Sequence, residues 1–226
     1  MNNTRKYNKR KNEYDKHRHI VTIFSSASNE APRKFKSLCY SLGKSLSENN
    51  YKISYGASVN GCGTWMVDGA IQSHKGNMRA VGYKNWKINK RMYNPPEGLK
   101  TEIIKTHGKE LGERIIELKK NSMAIVAVAG GPATMEELWN SVTGIAELNA
   151  IPVIILDPYG FYDGTMKQIE KMAKYFYWPK YERYVLHAKS VEELIHILEG
   201  IRYKVNIEKY RSPVNSKTRK VKKSSR

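Results

Sequence analysis

The chain has 226 residues, enough for one well-packed α/β domain with some residues to spare. Its 40% hydrophobic and 27% charged residues suit a globular fold, and no apolar run approaches the roughly 20 residues of a membrane span, so a membrane protein built on spanning helices is excluded. The formal net charge of +19 is the compositional outlier, and the two cysteines are too few for a disulfide framework.

In chain order, residues 1–19 come first as a basic arm, with seven Lys/Arg against two acids and no apolar centre that would make a secretory signal. Ile20-Val21-Thr22-Ile23-Phe24 reads as the first strand, followed by the small polar turn Ser25-Ser26-Ala27-Ser28. Phe35, Leu38, Cys39, Leu42 and Leu46 recur at helical spacing. Tyr51–Tyr55 is a second strand, and the loop from Gly56 to Gly61 leads to a helix over about Thr64–Ser73. A strand around Met78–Val81 precedes an irregular stretch, 84–100, broken by Pro95-Pro96 and Gly98. Thr101–Lys105 suggests a short strand, and a helix over about Lys109–Asn121 leads to the apolar strand 124–129. The next helix runs to about Asn149, then a strand at Ile151–Leu156, a helix after Gly164, a short strand near Tyr184–His187 and a last helix over Val191–Leu198. Residues 201–226 close the chain as a second basic arm, with ten Lys/Arg against one acid.

Strand and helix alternate throughout residues 20–200, which predicts a Rossmann-like three-layer α/β fold with a parallel sheet of six or seven strands. The two arms hold +14 of the net charge and few apolar residues, so they are read as flexible tails. They are candidates to bind nucleic acid or an acidic partner, with plain solubilisation as the alternative. Cys39 and Cys62 lack zinc-type spacing, and a reducing compartment is expected. The cytoplasm fits this, with the nucleus left open by the basic run Lys217–Lys223.

The most informative segment is Ala129-Gly130-Gly131-Pro132-Ala133-Thr134-Met135-Glu136-Glu137. A buried strand that ends in paired glycines and opens a helix makes an anion site, because the backbone can approach closely and the helix N-terminus offers N–H groups and a positive dipole end. Two carboxylates just inside that helix would weaken anion binding unless one has another task. In open sheets, ligands sit beyond the carboxyl ends of the strands. Ser25-Ser26, Gly56-Ala57-Ser58 and Gly130-Gly131 all fall there, which suggests a nucleotide-sized cleft.

These residues resemble the LONELY GUY family of nucleoside 5′-monophosphate phosphoribohydrolases, long labelled lysine decarboxylases. The family hallmark is Pro-Gly-Gly-x-Gly-Thr-x-x-Glu. Gly130, Gly131, Thr134 and Glu137 match it, while Ala129 replaces the proline and Ala133 the third glycine. A second motif, Arg-Lys-x-x-Met, keeps only its arginine as Arg114, with Ile115 and Leu118 in the other places. Ile20–Ser28, Tyr55–Asp68, Gly160-Phe161-Tyr162-Asp163 and Val191–Leu194 agree with the family in order. The likeness spans residues 20–200 and omits both arms.

The resemblance implies hydrolysis of the N-glycosidic bond of AMP or an N6-modified AMP, as in cytokinin activation, by a homodimer without a cofactor or metal. Glu137 would orient water or stabilise the cationic sugar, its plainer role being to complement the helix dipole. Arg114 would clamp phosphate or steady the substrate, its plainer role being a surface arginine among Glu113, Glu117, Lys119 and Lys120. Gly130, Gly131, Ala133 and Thr134 would cradle the phosphate. Ser25 and Ser26 would hydrogen-bond phosphate or ribose, with turn capping equally open to them, and Gly56 would bind substrate in the cleft. Asp68 would hold the glycine loop or touch the base. Arg79 would lend charge to the cleft or lie in solvent. The methyl of Ala133 is strained if its position needs φ > 0 and harmless if the position is already helical. Trp139, Val142, Ile145 and Leu148 would line a dimer interface or face the sheet. A non-catalytic nucleotide sensor of the same fold is the competing function. Amino-acid decarboxylation is disfavoured, since no lysine stands in a cofactor-binding setting.

Overall fold

A computed structural model describes residues 19–107, 111–146, 151–176 and 181–210. Seven strands form one parallel sheet: β1 (Ile20–Phe24), β2 (Lys52–Tyr55), β3 (Gly76–Tyr83), β4 (Leu99–Thr106), β5 (Ser122–Ala127), β6 (Val153–Leu156) and β7 (Val185–Ala188). Their order across the sheet is β4-β3-β2-β1-β5-β6-β7. The helices between them are α1 (Arg33–Glu48), α2 (Gly61–Gln72), the short α3 (Lys90–Tyr93), α4 (Leu111–Lys119), α5 (Pro132–Ala146), α6 (Asp163–Tyr175) and α7 (Val191–Tyr210).

The central strands are apolar on both faces because both are covered. Val21 and Ile23 of β1, and Ala124 and Val126 of β5, enter a core with Leu42, Met66 and Leu194 of α1, α2 and α7. Phe24, Ile125 and Ala127 point the other way, onto Leu118, Leu138 and Ile169 of α4, α5 and α6. Three layers result, as the alternation of elements predicts. Strand order reverses between β1 and β5, whose ends lie side by side with Phe24 paired to Ala127. A crevice opens at such a reversal, beyond the carboxyl ends of the two strands.

Several elements differ from their sequence reading. β4 is eight residues long and fully paired with β3, although its Leu-Lys-Thr-Glu-Ile-Ile-Lys-Thr pattern looks weak. It is an edge strand, and charges are what protect such an edge. The start of α2 lies three residues before the expected Thr64. The N–H groups of Gly61 and Cys62 are taken by Asn29 Oδ1 at 2.9 Å and Ser26 O at 3.0 Å, partners remote in sequence. The stretch read as irregular contains α3, where the Asn89 side chain accepts the Arg91 N–H at 3.1 Å. Helix α7 does not stop at Leu198 but continues to Tyr210. Arg202 anchors the continuation, stacking 3.9 Å over the buried Tyr51 ring and donating to Asn49 O at 3.2 Å.

The cysteines require a correction. Expected in a reducing compartment, Cys39 of α1 and Cys62 of α2 instead form a disulfide, with Cα atoms 5.3 Å apart. Glycine makes this approach geometrically open: a Cβ at Gly43 would collide with the Met66 carbonyl, and one at Gly69 with the Tyr40 carbonyl. Helix-on-helix contact this close brings two residues 23 apart within bonding distance. Cysteine count therefore no longer argues for a reducing compartment. No helix among the described residues is long and apolar enough to cross a membrane.

Candidate active site

The cradle begins where β5 ends. Val128 N–H is bound to Phe24 O at 2.9 Å, and Ser26 N–H reaches Ala129 O at 3.3 Å, so the turns after β1 and β5 are tied together. The buried Tyr162 hydroxyl donates to Val128 O at 2.9 Å and pins the strand end from the other side. Pro132 is the first residue of α5, where its missing N–H costs nothing. Ala133 is the second helical residue and does not have positive φ, so its methyl group introduces no strain. Thr134 is buried and folds back over Gly130, where a Cβ would collide with its hydroxyl. The amides of this first turn have no intrahelical acceptors, which leaves them for a ligand.

Glu137 lies five residues beyond Pro132, about 7 Å along the helix axis. It is 6% exposed and meets Arg114 of α4, itself 5% exposed: Nη2 donates to Oε1 at 2.7 Å. Arg114 Nη1 also reaches Gly56 O at 3.4 Å, after β2. Gly56 has a steric reason to be glycine, since a Cβ there would stand 2.6 Å from Nη1. The guanidinium carbon is 5.1 Å from the ring centre of Trp86 and 5.8 Å from that of Tyr83. Arg114 Nε is buried with no hydrogen-bond partner. Burial raises the Glu137 carboxyl from 4.5 to about 7, against the pull of Arg114 and with a smaller push from Glu136. A buried ion pair is a poor stabiliser, because desolvation offsets much of its attraction. One that floors a cleft and keeps its acid near neutrality suits proton transfer better than it suits folding.

The cleft holds about 570 Å³ and brings together Ser25, Ser26, Gly56, Arg114, Gly131, Ala133, Thr134 and Glu137. Ser26 Oγ also accepts the Ser28 N–H at 3.0 Å, so that hydroxyl does serve the turn. Two candidates lie elsewhere. Gly130 lines a smaller pocket of about 150 Å³ beside the disulfide. Asp68 is eight residues into α2, about 10 Å from its start, and is ion-paired with Arg91 instead of facing the cleft. Arg79 is neither in the cleft nor in solvent. It is buried mid-strand, with Nη2 on Glu117 Oε1 at 2.5 Å and Nη1 on Lys120 O at 3.0 Å. It thus holds the end of the helix that carries Arg114. Val142 is buried and Trp139 half-buried against the sheet-facing core, while Leu148 lies outside the described residues.

Sequence reasoning missed Tyr55, Val59, Asn85, Trp86 and Lys87, all of which line the cleft. The last three were passed over as irregular. Their position just after β3, at the carboxyl edge of a parallel sheet, was the signal available.

A parallel sheet with its cleft at the strand-order reversal, a glycine-rich turn opening a helix and a buried acid–arginine pair in that cleft define a Rossmann-like α/β protein. Residues 66–198, more than half of the chain, match the family described as "Possible lysine decarboxylase", and the chain belongs to that family, the LONELY GUY group. It is 28% identical over 187 residues to cytokinin riboside 5′-monophosphate phosphoribohydrolase LOG1 of Arabidopsis thaliana, covering 75% of this chain and 85% of the relative. It is 25% identical over 183 residues to LOG3 of the same plant, covering 79% and 81%. Among solved structures, the molybdenum cofactor carrier protein of Chlamydomonas reinhardtii superposes with a TM-score of 0.59 at 16% identity, covering 81% of this chain and 98% of that one. That likeness concerns the fold alone.

Proposed function

We propose that the cleft hydrolyses the N-glycosidic bond of a nucleoside 5′-monophosphate, AMP or an N6-modified AMP, to the free base and ribose 5-phosphate. The observation that carries this reading is the buried Arg114–Glu137 pair, set about 7 Å along the helix whose first turn forms the anion cradle. The 5′-phosphate docks on the amides of Gly131, Ala133 and Thr134. The ribose then lies over Glu137. As the bond from C1′ to the base nitrogen breaks, positive charge grows on the sugar, and the ionised carboxylate stabilises it. Water supplies the new C1′–O bond, and its proton replaces the sugar on the base. A carboxyl poised near 7 can accept and pass on that proton. Arg114 fixes the direction of the carboxylate. The names of the Arabidopsis relatives support the same chemistry.

The test is to incubate the protein with AMP and with an N6-alkylated AMP and measure free base and ribose 5-phosphate, with Glu137→Gln as control. Release by wild type and its loss in the variant are expected. Tight nucleotide binding by wild type without base release would overturn the hydrolase reading and leave a non-catalytic nucleotide sensor of the same fold. A homodimer, and a nucleic-acid or acidic partner for residues 1–19 and 201–226, belong to the same proposal. Sedimentation would test the first, and salt-dependent binding lost on removing the two segments would test the second.

A further inference from the structure

We infer that Trp86 is the platform on which the ligand's heterocyclic base stacks, so that the cleft selects planar aromatic leaving groups; this rests on the nucleotide reading above. Trp86 lies between β3 and α3 and lines the cleft while remaining 44% exposed. Of the cleft's lining residues, only Trp86 and Val59, 40% exposed, are large apolar groups open to solvent. With Arg114 near one part of the ring and 44% of the residue still exposed, the indole keeps apolar surface available for stacking beside the cleft.

The ring is also held in place. Its backbone N–H is bound to Tyr83 O at 3.0 Å, closing a turn. The Tyr83 ring meets the indole edge-on, with centroids 4.9 Å apart and planes at 75°. A pre-oriented platform loses little conformational entropy when a ligand lands on it.

The order of groups matches a nucleotide. A run of contacts links the amide cradle of α5 to Glu137 on the same helix, Glu137 to Arg114 by a hydrogen bond, and Arg114 to Trp86 at 5.1 Å, and all of them line one cleft. Phosphate, sugar and base follow one another in the same sequence. The phosphate and sugar positions are accounted for by charge and hydrogen bonding, and the aromatic ring falls at the remaining end. Lys87 and Asn85, next to Trp86 in the lining, are placed to meet polar atoms on the base edge. Stacking tolerates substituents on the ring edge, because every base presents a π face.

The test is calorimetric titration of Trp86→Ala and Trp86→Phe, each in the Glu137→Gln background so that no ligand is consumed. Two probes are used, AMP and ribose 5-phosphate, which has the phosphate and sugar without the base. Loss of a stacked base weakens binding on the order of ten-fold or more. The expected result is that loss for AMP with the alanine variant, rescue by phenylalanine, and ribose 5-phosphate affinity within about two-fold throughout. Equal weakening of both probes would overturn the inference and make Trp86 a support for Arg114. So would unchanged AMP binding. Base release is measured separately on Trp86-intact protein, so a stacking site in a protein that turns nothing over remains recognisable as such.

Discussion

Replacing Gly56 with alanine tests the site through one added methyl group. The new Cβ would stand 2.6 Å from Arg114 Nη1, against about 3.4 Å for ordinary contact. Gly56 does not have positive φ, so alanine fits its backbone, and Arg114 alone obstructs the methyl. The guanidinium must retreat by about 0.8 Å, and being planar it moves as a unit. A shift of that size takes the 2.7 Å bond to Glu137 toward the limit of hydrogen bonding. A hydrogen bond to a charged group contributes about 1.5–3 kcal/mol. The expected loss in kcat for base release from AMP is therefore about 10- to 150-fold. Urea denaturation should show little change, since no backbone contact is displaced. The same substitution in an Arg114→Ala background should add almost nothing, because the effect runs through that side chain. Full activity in the single variant, or an equal loss in both backgrounds, would refute the geometry.

Other outcomes follow from the remaining contacts. The Glu137 carboxyl is raised from 4.5 unfolded to about 7 folded, so its contribution to stability is fully present below pH 4.5 and is lost as pH rises to 7. Relative to Glu137→Gln, wild type should lose on the order of 3 kcal/mol across that window. Denaturation at both ends of it measures this, and a constant difference would contradict the burial effect. Reducing the Cys39–Cys62 bridge frees a loop of 23 residues and should cost about 3 kcal/mol. Melts with and without reductant read that directly, and identical curves would mean the bond does not constrain the chain. Ala133→Gly should keep activity within about two-fold and lower stability by up to about 1 kcal/mol. A large gain in activity would show that the methyl blocks the cradle.

The sequence made the three layers legible because central strands buried on both faces must be mainly apolar, as β1, β5 and β6 are, with the buried Thr22 of β1 satisfied by Leu118 O. Glu137 and Arg114 were legible through motif spacing, and Ser25, Ser26 and Gly56 through their place after strands. What was hidden depends on contacts between distant residues. β4 was legible only as the short strand Thr101–Lys105, and its full length was masked by the charged residues of an edge. The start of α2 depends on Asn29 and Ser26, and the extension of α7 on Tyr51. No local pattern marks Arg79 as the clamp on α4, since its partners are 38 and 41 residues away. Asp68 was drawn to the cleft by its proximity to the glycine loop, but helix geometry carried it to Arg91. The disulfide could not be deduced from two unpaired letters in the text of the chain.

That covalent bond lies outside the cleft but bears on one of its walls. Cys62 sits in the first turn of α2 and holds the Ser26 carbonyl through its own amide, so the serine wall is fastened to two helices stitched together. Arg114 and Glu137 arrive from α4 and α5, on the opposite face of the sheet, where only non-covalent packing restrains them. The wall formed by Ser26 is therefore covalently braced, whereas the wall formed by Arg114 and Glu137 is held by non-covalent packing and an ion pair.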